Sequence, residues 1–283
     1  MMKRRLRHGA GRAKRTLLPS IRGGQSSEVA PSIDKLDYVA TYGAYTEKLL
    51  RENPDRDRAL ENAIGAPDRE SFVSIGKLQL ELLRFAGLTQ ESSVVEIGCG
   101  SGRLSVQLAE WLQGAYLGTD VVQALLDQAI AITRRPEWRF QRVTGLTIPA
   151  ADSSADMVCA FSVFTHLLHE ESYKYMEECH RVLRPGGKLV FSFVEYRVPS
   201  HWDIMELNIG AVGQTSVLNQ FMSVDAITTW AAHLGLDVEA IYRGDEPYIP
   251  LSEPIDLRPH HFENYGTFGQ SAAILAKRSG SDG

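Results

Sequence analysis

The sequence predicts an α/β protein: a doubly wound, mostly parallel seven-stranded sheet with helices on both faces and a helical N-terminal cap. Seven short apolar runs occur between residues 93 and 276, and amphipathic stretches separate most of them. Apolar strands that alternate with helices are typical of a parallel sheet that is covered on both faces. The first run ends in a cluster of glycines, which indicates the edge of the sheet where a ligand would bind.

The apolar runs place the seven strands at residues 93–97, 115–119, 138–143, 156–161, 187–194, 237–242 and 271–276. Apolar residues at helical spacing predict helices over residues 103–113, 122–133, 170–183 and 224–234. No helix is predicted between the last two strands, which are separated by the proline-containing loop 244–268. We therefore expect these two strands to form a hairpin with a long insertion, and loops of that length are often functional.

Residues 34–87 precede the first strand and have helical periodicity, with Tyr38, Tyr42 and Tyr45 as an early example. This pattern divides the chain into three expected regions. Residues 1–30 are expected to be a disordered basic tail, residues 31–90 a helical cap and residues 91–279 the α/β domain. Pocket-lining residues are expected from the cap and from the loops at 196–222 and 244–268.

The charge is distributed unevenly along the 283 residues. Residues 1–24 contain eight Lys or Arg and no acid, which leaves 22 basic against 35 acidic residues, a net charge near −13, in the rest of the chain. An acidic body repels nucleic acid, so we expect a small-molecule partner and no nucleic acid. The basic tail leaves open a weak contact with an anionic surface, or an arm that docks on RNA.

Three cysteines, Cys99, Cys159 and Cys179, are scattered without a C-x-x-C pair. This usage fits a reducing compartment and predicts a cytoplasmic protein. No apolar run has the length of about 20 residues that a membrane-spanning helix needs. Since no ligand set recurs at regular spacing, no metal site is predicted. Oligomeric state leaves no signal in the sequence.

The glycine cluster follows an acid, Glu96, and occupies alternate positions: Gly98, Gly100 and Gly102. Glycine permits positive φ angles and has no Cβ to keep a ligand away from the backbone. About twenty residues further on, Asp120 ends the second predicted strand, where a carboxylate can accept hydrogen bonds from both hydroxyls of a ribose. These residues predict a site for a nucleoside-containing cofactor.

The spacing of the glycines distinguishes between two classes of nucleoside-containing cofactor, the dinucleotides and the cationic nucleosides. A dinucleotide fingerprint has its third glycine where this sequence has Arg103. Moreover, the Glu96 carboxylate would repel a pyrophosphate and attract a cationic ligand. Both points favour a positively charged nucleoside cofactor over a dinucleotide.

With these motifs, the sequence resembles the class I S-adenosylmethionine-dependent methyltransferases. Residues 94–103 look like their first motif and Asp120 like their ribose-binding acid, while residues 148–158 and 183–189 look like their approaches to the fourth and fifth strands. The resemblance covers about residues 72–194, and a weaker similarity occurs at residues 269–275. It implies a Rossmann-like methyltransferase domain over residues 91–279 and S-adenosylmethionine as the cofactor.

The resemblance also implies which residues bind the cofactor. Glu96 and the backbone of the glycine loop would bind the methionine end, and Asp120 the ribose. The family often has an acid after the third strand that binds the adenine amino group, but this chain has Val143 and Thr144 there, so a threonine hydroxyl or nearby backbone would replace it. The full expected set is Glu96, Gly98, Cys99, Gly100, Gly102, Asp120, Val121, Thr144, Gly145 and Phe161.

Methyl transfer to a hydroxyl needs a general base, which is most often histidine. His166 lies just beyond the fourth predicted strand, where the substrate pocket would open, and is the candidate catalytic residue. We therefore expect methylation of O or N on a small-molecule, lipid-linked or saccharide acceptor. Two alternatives stay open: methylation of RNA or protein with the basic tail as a docking arm, and a non-catalytic regulator that binds S-adenosylmethionine.

Overall fold

The structure is a computed structural model that describes residues 37–212 and 217–279. The predicted basic tail at residues 1–30 therefore lies outside the described residues. Among the helices of the described ranges, none combines the length and the apolar character that crossing a bilayer requires.

The α-helices of the described chain are α1 (Tyr38–Glu52), α2 (Arg56–Ala63), α3 (Arg69–Phe85), α4 (Arg103–Trp111), α5 (Gln123–Thr133), α6 (His169–Val182), α7 (Trp202–Gly210) and α8 (Val224–Leu234). Short 3₁₀ turns occur at Phe164–His166 and Pro199–His201. The strands are β1 (Val94–Ile97), β2 (Tyr116–Asp120), β3 (Arg139–Arg142), β4 (Ala155–Ala160), β5 (Leu183–Phe193), β6 (Leu236–Tyr242), β7 (Ile249–Pro250), β8 (Ile255–Leu257), β9 (His260–Phe262), β10 (Tyr265–Gly266) and β11 (Ser271–Lys277).

Seven strands form one sheet in the order β3-β2-β1-β4-β5-β11-β6. The first five are parallel, while β11 pairs antiparallel with both β5 and β6. Strands β1 and β2 are buried along their whole length, which explains why they read as continuous apolar runs rather than as alternating patterns. The predicted doubly wound α/β fold is therefore confirmed, including the terminal hairpin.

Helices cover both faces of the sheet, as the predicted fold requires. On one face, Leu82 of α3 and Leu108 of α4 pack in a cluster with Val94 and Tyr116. On the other face, Met176 of α6 and side chains of α8 pack in a second cluster with Val95 and Phe191. The alternation of Val94 and Val95 between the two clusters follows the two-residue period of a strand.

Two predicted loops contain regular structure. Residues 244–268 hold four short strands that form two small sheets, β7 with β10 and β8 with β9. The 196–222 loop contains α7, which has no buried residue. Because α7 lacks a clear apolar stripe, its sequence has no periodic signal from which a helix could be predicted.

The three N-terminal helices each begin at an aspartate. The side chains of Asp37, Asp55 and Asp68 accept hydrogen bonds from backbone N–H groups in the first turns of α1, α2 and α3. Such caps satisfy donors that have no partner within the helix. Local sequence thus fixes where these helices start, and the packing of α3 on α4 positions them over the sheet.

Gly76 allows α3 to lie directly on α4. A Cβ atom at Gly76 would overlap the backbone carbonyl oxygen of Arg103, the first residue of α4. We expect Gly76→Ala to reduce the free energy of unfolding by about 1–3 kcal/mol, as overpacking in a core does, in urea unfolding followed by circular dichroism.

Gly43 of α1 is the matched control, because a Cβ atom there would meet nothing within 4 Å. Gly43→Ala should stabilise the protein by about 0.5–1 kcal/mol through helix propensity alone. Equal effects of the two substitutions would contradict the packing argument.

Candidate cofactor and active site

One cavity of about 830 Å³ opens at the carboxyl ends of β1, β2 and β4. This volume is in the usual range for a ligand site. Among its lining residues are eight of the predicted site residues: Glu96, Gly98, Cys99, Gly100, Asp120, Val121, Phe161 and His166. The structure therefore brings most of the predicted set together in one place.

The glycine loop exposes its backbone to this cavity. Gly98 and Gly100 have φ angles of +65° and +56°. A Cβ atom at Gly98 would collide with Val163, and one at Gly100 would come within 2.7 Å of Ile64. Both Val163 and Ile64 also line the cavity. Only glycine fits at these two positions, and the loop forms a cradle whose backbone is bare at Gly98 and Gly100.

Asp120 ties this cradle to the second strand. One of its carboxylate oxygens accepts a hydrogen bond from the Gly100 N–H at 2.9 Å, and the other accepts from the Val122 N–H at 2.9 Å. Burial raises the pKa of Asp120 to about 6, while the backbone N–H donors oppose that shift. A carboxylate has about four lone-pair sites, so these two bonds leave capacity for two ribose hydroxyls.

Glu96 is buried beneath the glycine loop. Its Oε2 atom accepts hydrogen bonds from the Tyr116 hydroxyl at 2.5 Å and from the Ser105 hydroxyl at 3.0 Å. Within the described ranges, no hydrogen bond reaches its Oε1 atom. Burial raises the pKa of Glu96 to about 7, against the lowering effect of the two hydroxyls and of Arg103. The side chain therefore has one anchored oxygen and one that is available to a ligand.

Arg103 is a cavity residue that the sequence analysis did not assign to the site. Its guanidinium donates to the Ile64 carbonyl oxygen at 3.0 Å and to Gln79 Oε1 at 3.4 Å. No carboxylate in the described part of the chain lies within salt-bridge distance of it. Burial lowers its pKa to about 10, so the group stays charged at neutral pH. The signal in the sequence that could have identified Arg103 as a site residue is its position directly after the glycines.

His166 lies in the 3₁₀ turn after β4, and its Nδ1 atom is 2.7 Å from the Leu218 carbonyl oxygen. Because a carbonyl oxygen only accepts, Nδ1 carries the proton, and Nε2 of the neutral ring keeps a basic lone pair. Burial lowers the pKa of His166, which favours the neutral form. The ring also packs on Tyr42, with the ring centroids 5.3 Å apart.

Three predicted residues lie elsewhere. Gly102 has a φ of +93° at the start of α4, and a Cβ atom there would come within 3.0 Å of Ala129 on α5, so its position serves helix packing. Thr144 and Gly145 are exposed and are not among the residues that line the cavity. Their placement on the cofactor stays a prediction without support from the cavity geometry.

The fold and the site define an α/β protein with a cavity suited to a nucleoside-containing cofactor. Comparisons with known proteins show which families it resembles. Residues 95–191 match the family model described as methyltransferase domain. Malonyl-[acyl-carrier protein] O-methyltransferase 1 of Coxiella burnetii is 31% identical over 139 residues, 48% of this chain and 46% of that protein. A probable S-adenosylmethionine-dependent methyltransferase of Mycolicibacterium smegmatis is 33% identical over 145 residues, 49% and 54% of the two chains.

Solved structures share the fold. A putative methyltransferase in complex with the Haloferax volcanii Trm112 methyltransferase activator superimposes with a TM-score of 0.58 at 20% identity, over 84% of this chain and 97% of that one. Magnesium protoporphyrin IX methyltransferase of Synechocystis, solved with bound S-adenosylhomocysteine, gives a TM-score of 0.55 at 13% identity, over 86% and 100%.

The match over residues 95–191, the relatives' names and the shared fold together support a class I S-adenosylmethionine-dependent methyltransferase. The predicted family and its cofactor class, S-adenosylmethionine, are thereby confirmed. This chain spans about half the length of the curated relatives it matches.

The raised pKa of Glu96 predicts how stability depends on pH. As pH rises from about 4.5 to 7, the unfolded chain releases the Glu96 proton before the folded protein does, so wild-type stability falls over this window and levels off above it. Glu96→Gln removes this titration. The variant should therefore gain stability relative to wild type as pH rises from 5 to 8.

Urea unfolding at pH 5, 6, 7 and 8 measures this difference. Glu91→Gln, at an exposed position of the loop before β1, is the control and should show no such trend. A stability difference between Glu96→Gln and wild type that does not change with pH would contradict the burial of an ionisable Glu96.

Proposed function

We propose that the protein transfers a methyl group from S-adenosylmethionine to a hydroxyl oxygen of an apolar small-molecule acceptor. The single observation that carries the proposal is that the glycine cradle, Asp120 and His166, whose ring is held with the proton on Nδ1, all border one cavity. This proposal treats residues 91–279 as the catalytic domain and residues 31–90 as its cap.

The residues present fit the cofactor. Asp120 is placed to accept from the ribose hydroxyls, and the bare backbone at Gly98 and Gly100 admits the chain that leads from the ribose to the methionine end. Arg103 offers a buried positive charge to the carboxylate of that end, and Glu96 offers a negative charge to its amino group. When bound, S-adenosylmethionine supplies an electrophilic methyl group on a sulfonium.

The acceptor end of the cavity has a different character. Apolar and aromatic residues line it, including Phe161, Ile204 and Phe268. Glu96 and Asp120, both in the cofactor cradle, are the acids among the cavity-lining residues described. This wall favours a neutral, apolar acceptor over a cationic one, because a desolvated cation would find no carboxylate at this end.

The protonation state and tautomer of His166 favour oxygen over nitrogen as the methylated atom. A hydroxyl must lose its proton during transfer, and a neutral imidazole with a free Nε2 can take it. The hydrogen bond from Nδ1 to the Leu218 carbonyl holds the ring in the tautomer that this role needs. The O-methyltransferase names of the Coxiella relative and of an Aspergillus relative agree with oxygen as the acceptor atom.

Two other functions compete with this proposal. RNA or protein methylation would use the basic tail, and the apolar wall of the cavity disfavours a nucleic-acid acceptor. A regulator that binds the cofactor without chemistry has no need of a histidine held as a neutral base. Turnover with an apolar hydroxyl compound separates the proposal from both alternatives.

Asp120→Ala should weaken binding of S-adenosylmethionine by about 1–3 kcal/mol, because the variant loses a buried carboxylate that accepts hydrogen bonds. Calorimetric titration of the wild type and the variant measures the loss, with NADH as the competing cofactor class. Asp127→Asn, on the exposed face of α5, is the control and should bind like wild type. Equal affinity of folded Asp120→Ala and wild type would contradict the site.

His166→Gln should lower the turnover rate by about 10²–10⁴-fold, the usual contribution of general-base catalysis, while the affinity for S-adenosylmethionine stays within about twofold. A panel of apolar hydroxyl compounds supplies the acceptor, and formation of S-adenosylhomocysteine measures the rate. His233→Gln, exposed on α8, is the control. An unchanged rate in His166→Gln would exclude the residue as the base.

A further inference from the structure

Gln270 lies just before β11, and its side chain lines the cavity as part of a polar cluster. Its Oε1 atom accepts hydrogen bonds from the Ser192 hydroxyl at 2.6 Å and from the Ser162 hydroxyl at 3.2 Å. The Ser192 Oγ atom in turn accepts from the Ser162 N–H at 2.8 Å. If the amide were reversed, neither hydroxyl proton would have an acceptor among the described residues. The cluster therefore fixes which end of the amide is the oxygen.

The other end of this amide is a hydrogen-bond donor without a partner. Within the described ranges, no hydrogen bond reaches the Nε2 atom of Gln270, whereas its Oε1 atom and its backbone carbonyl oxygen are both bonded. Nε2 is not one of the fully buried atoms that lack a partner, so it keeps accessible surface. An amide nitrogen has two N–H donors and accepts no hydrogen bond. Gln270 thus brings a neutral group that only donates to the cavity.

The position of Gln270 in the sheet assigns it to the acceptor end of the cavity. Strands β4, β5 and β11 lie on one side of β1, and β2 lies on the other. Ser162 follows β4, Ser192 is on β5 and Gln270 precedes β11, whereas Asp120 ends β2. Because the ribose is assigned to Asp120, the amide lies on the opposite side of β1 from it. His166 also follows β4, on the same side as the amide.

Two aromatic rings accompany this cluster. Phe161 directly precedes Ser162, and Phe268 lies two residues before Gln270. The two rings meet edge to face with their centroids 5.8 Å apart, and both line the cavity. A ligand that packs on them displaces water, and a donor that loses water without gaining a partner costs free energy. This end of the cavity therefore favours an apolar molecule that carries one hydrogen-bond-accepting atom.

Neighbouring contacts hold Gln270 in place before any ligand binds. The Tyr248 hydroxyl donates to the Gln270 carbonyl oxygen at 3.1 Å, and the His201 Nε2 atom is 2.9 Å from the Gly269 carbonyl oxygen. Ser162 adopts a φ of +58°, a strained conformation for a residue with a side chain. Such strain persists where surrounding contacts impose it, and it is concentrated at ligand sites. A side chain that is already fixed loses little conformational entropy when it binds.

We propose that the Gln270 side-chain amide donates a hydrogen bond to a carbonyl oxygen of the acceptor, so that the enzyme selects hydroxyl compounds that also carry a carbonyl group. This inference rests on the proposed function and adds a second polar group to its substrate. A carbonyl oxygen has lone pairs and no proton, which complements a group that only donates. A site that hydrogen-bonds one substrate group rejects the analogue that lacks it, because its own polar group then has no partner.

The test compares two hydroxyacetophenones with two ethylphenols. The meta and para isomers of hydroxyacetophenone have the carbon skeletons of the matching ethylphenols and carry a carbonyl oxygen in addition. Each compound is titrated by calorimetry into protein saturated with S-adenosylhomocysteine, for wild type, Gln270→Met, Gln270→Glu and Gln123→Met. Both Gln270 substitutions keep the side-chain length and remove the N–H donors, and Gln270→Glu also keeps an acceptor for the serine hydroxyls. Gln123, exposed on α5, is the matched control.

The measured quantity is the affinity for the ketone divided by the affinity for the ethylphenol of the same isomer. In the Gln270 variants this ratio should fall by about three- to tenfold for at least one isomer, the usual worth of a neutral hydrogen bond. Gln123→Met should keep the wild-type ratio, and all variants should bind S-adenosylhomocysteine within about twofold of wild type. Circular dichroism establishes that each variant is folded, and either Gln270 variant alone is sufficient for the comparison.

The inference is wrong if the Gln270 substitutions leave the ratio unchanged for both isomers, or if wild type with bound S-adenosylhomocysteine binds none of the four phenols. It is also wrong if Gln270→Met loses affinity for S-adenosylhomocysteine, because the amide would then serve the cofactor. The proposed function is tested separately. Methylation of an ethylphenol by wild type, together with an unchanged ratio, rejects the role of Gln270 alone, whereas a wild type that does not bind S-adenosylhomocysteine rejects the cofactor site and both proposals.

Discussion

The hydrogen bond from the Gly100 N–H to Asp120 is the interaction on which the site depends. It joins the loop after β1 to the end of β2, and it holds a segment of positive-φ glycines in one conformation. Because its three glycines have no side chains, this loop gains its rigidity from hydrogen bonds to its neighbours. The same carboxylate also accepts from the Val122 N–H at the start of α5, so one residue orders three chain segments.

This site requires ionisable side chains to be buried, which costs free energy of folding. Glu96, Asp120 and Arg103 are 4%, 6% and 8% exposed, and burial shifts the pKa of each in the direction that favours its neutral form. Hydrogen bonds from Tyr116, Ser105 and backbone N–H groups offset part of that cost. Two carboxyls and a guanidinium in one cavity match a ligand that carries both positive and negative groups, which is the charge pattern of a sulfonium amino acid.

The N-terminal helices complete the site rather than merely covering it. Gln79 of α3 and the Ile64 carbonyl after α2 orient Arg103, and Tyr42 of α1 packs on His166. The close approach of α3 to α4 at Gly76 brings these groups within reach of the sheet. The N-terminal helices therefore contact the cavity wall both beside the glycine loop, at Arg103, and at His166.

The sequence by itself determined the seven strands of the main sheet, the glycine loop and Asp120, because apolar runs and positive-φ positions are local properties that residue type reports directly. It also indicated His166, from its place after β4. Only the tertiary structure decided the roles of Arg103, which lines the cavity, and of Gly102, which serves helix packing, and placed Thr144 outside the cavity wall. Those roles depend on which helices meet over the sheet, and contacts between residues far apart in the chain leave no periodic pattern in the sequence.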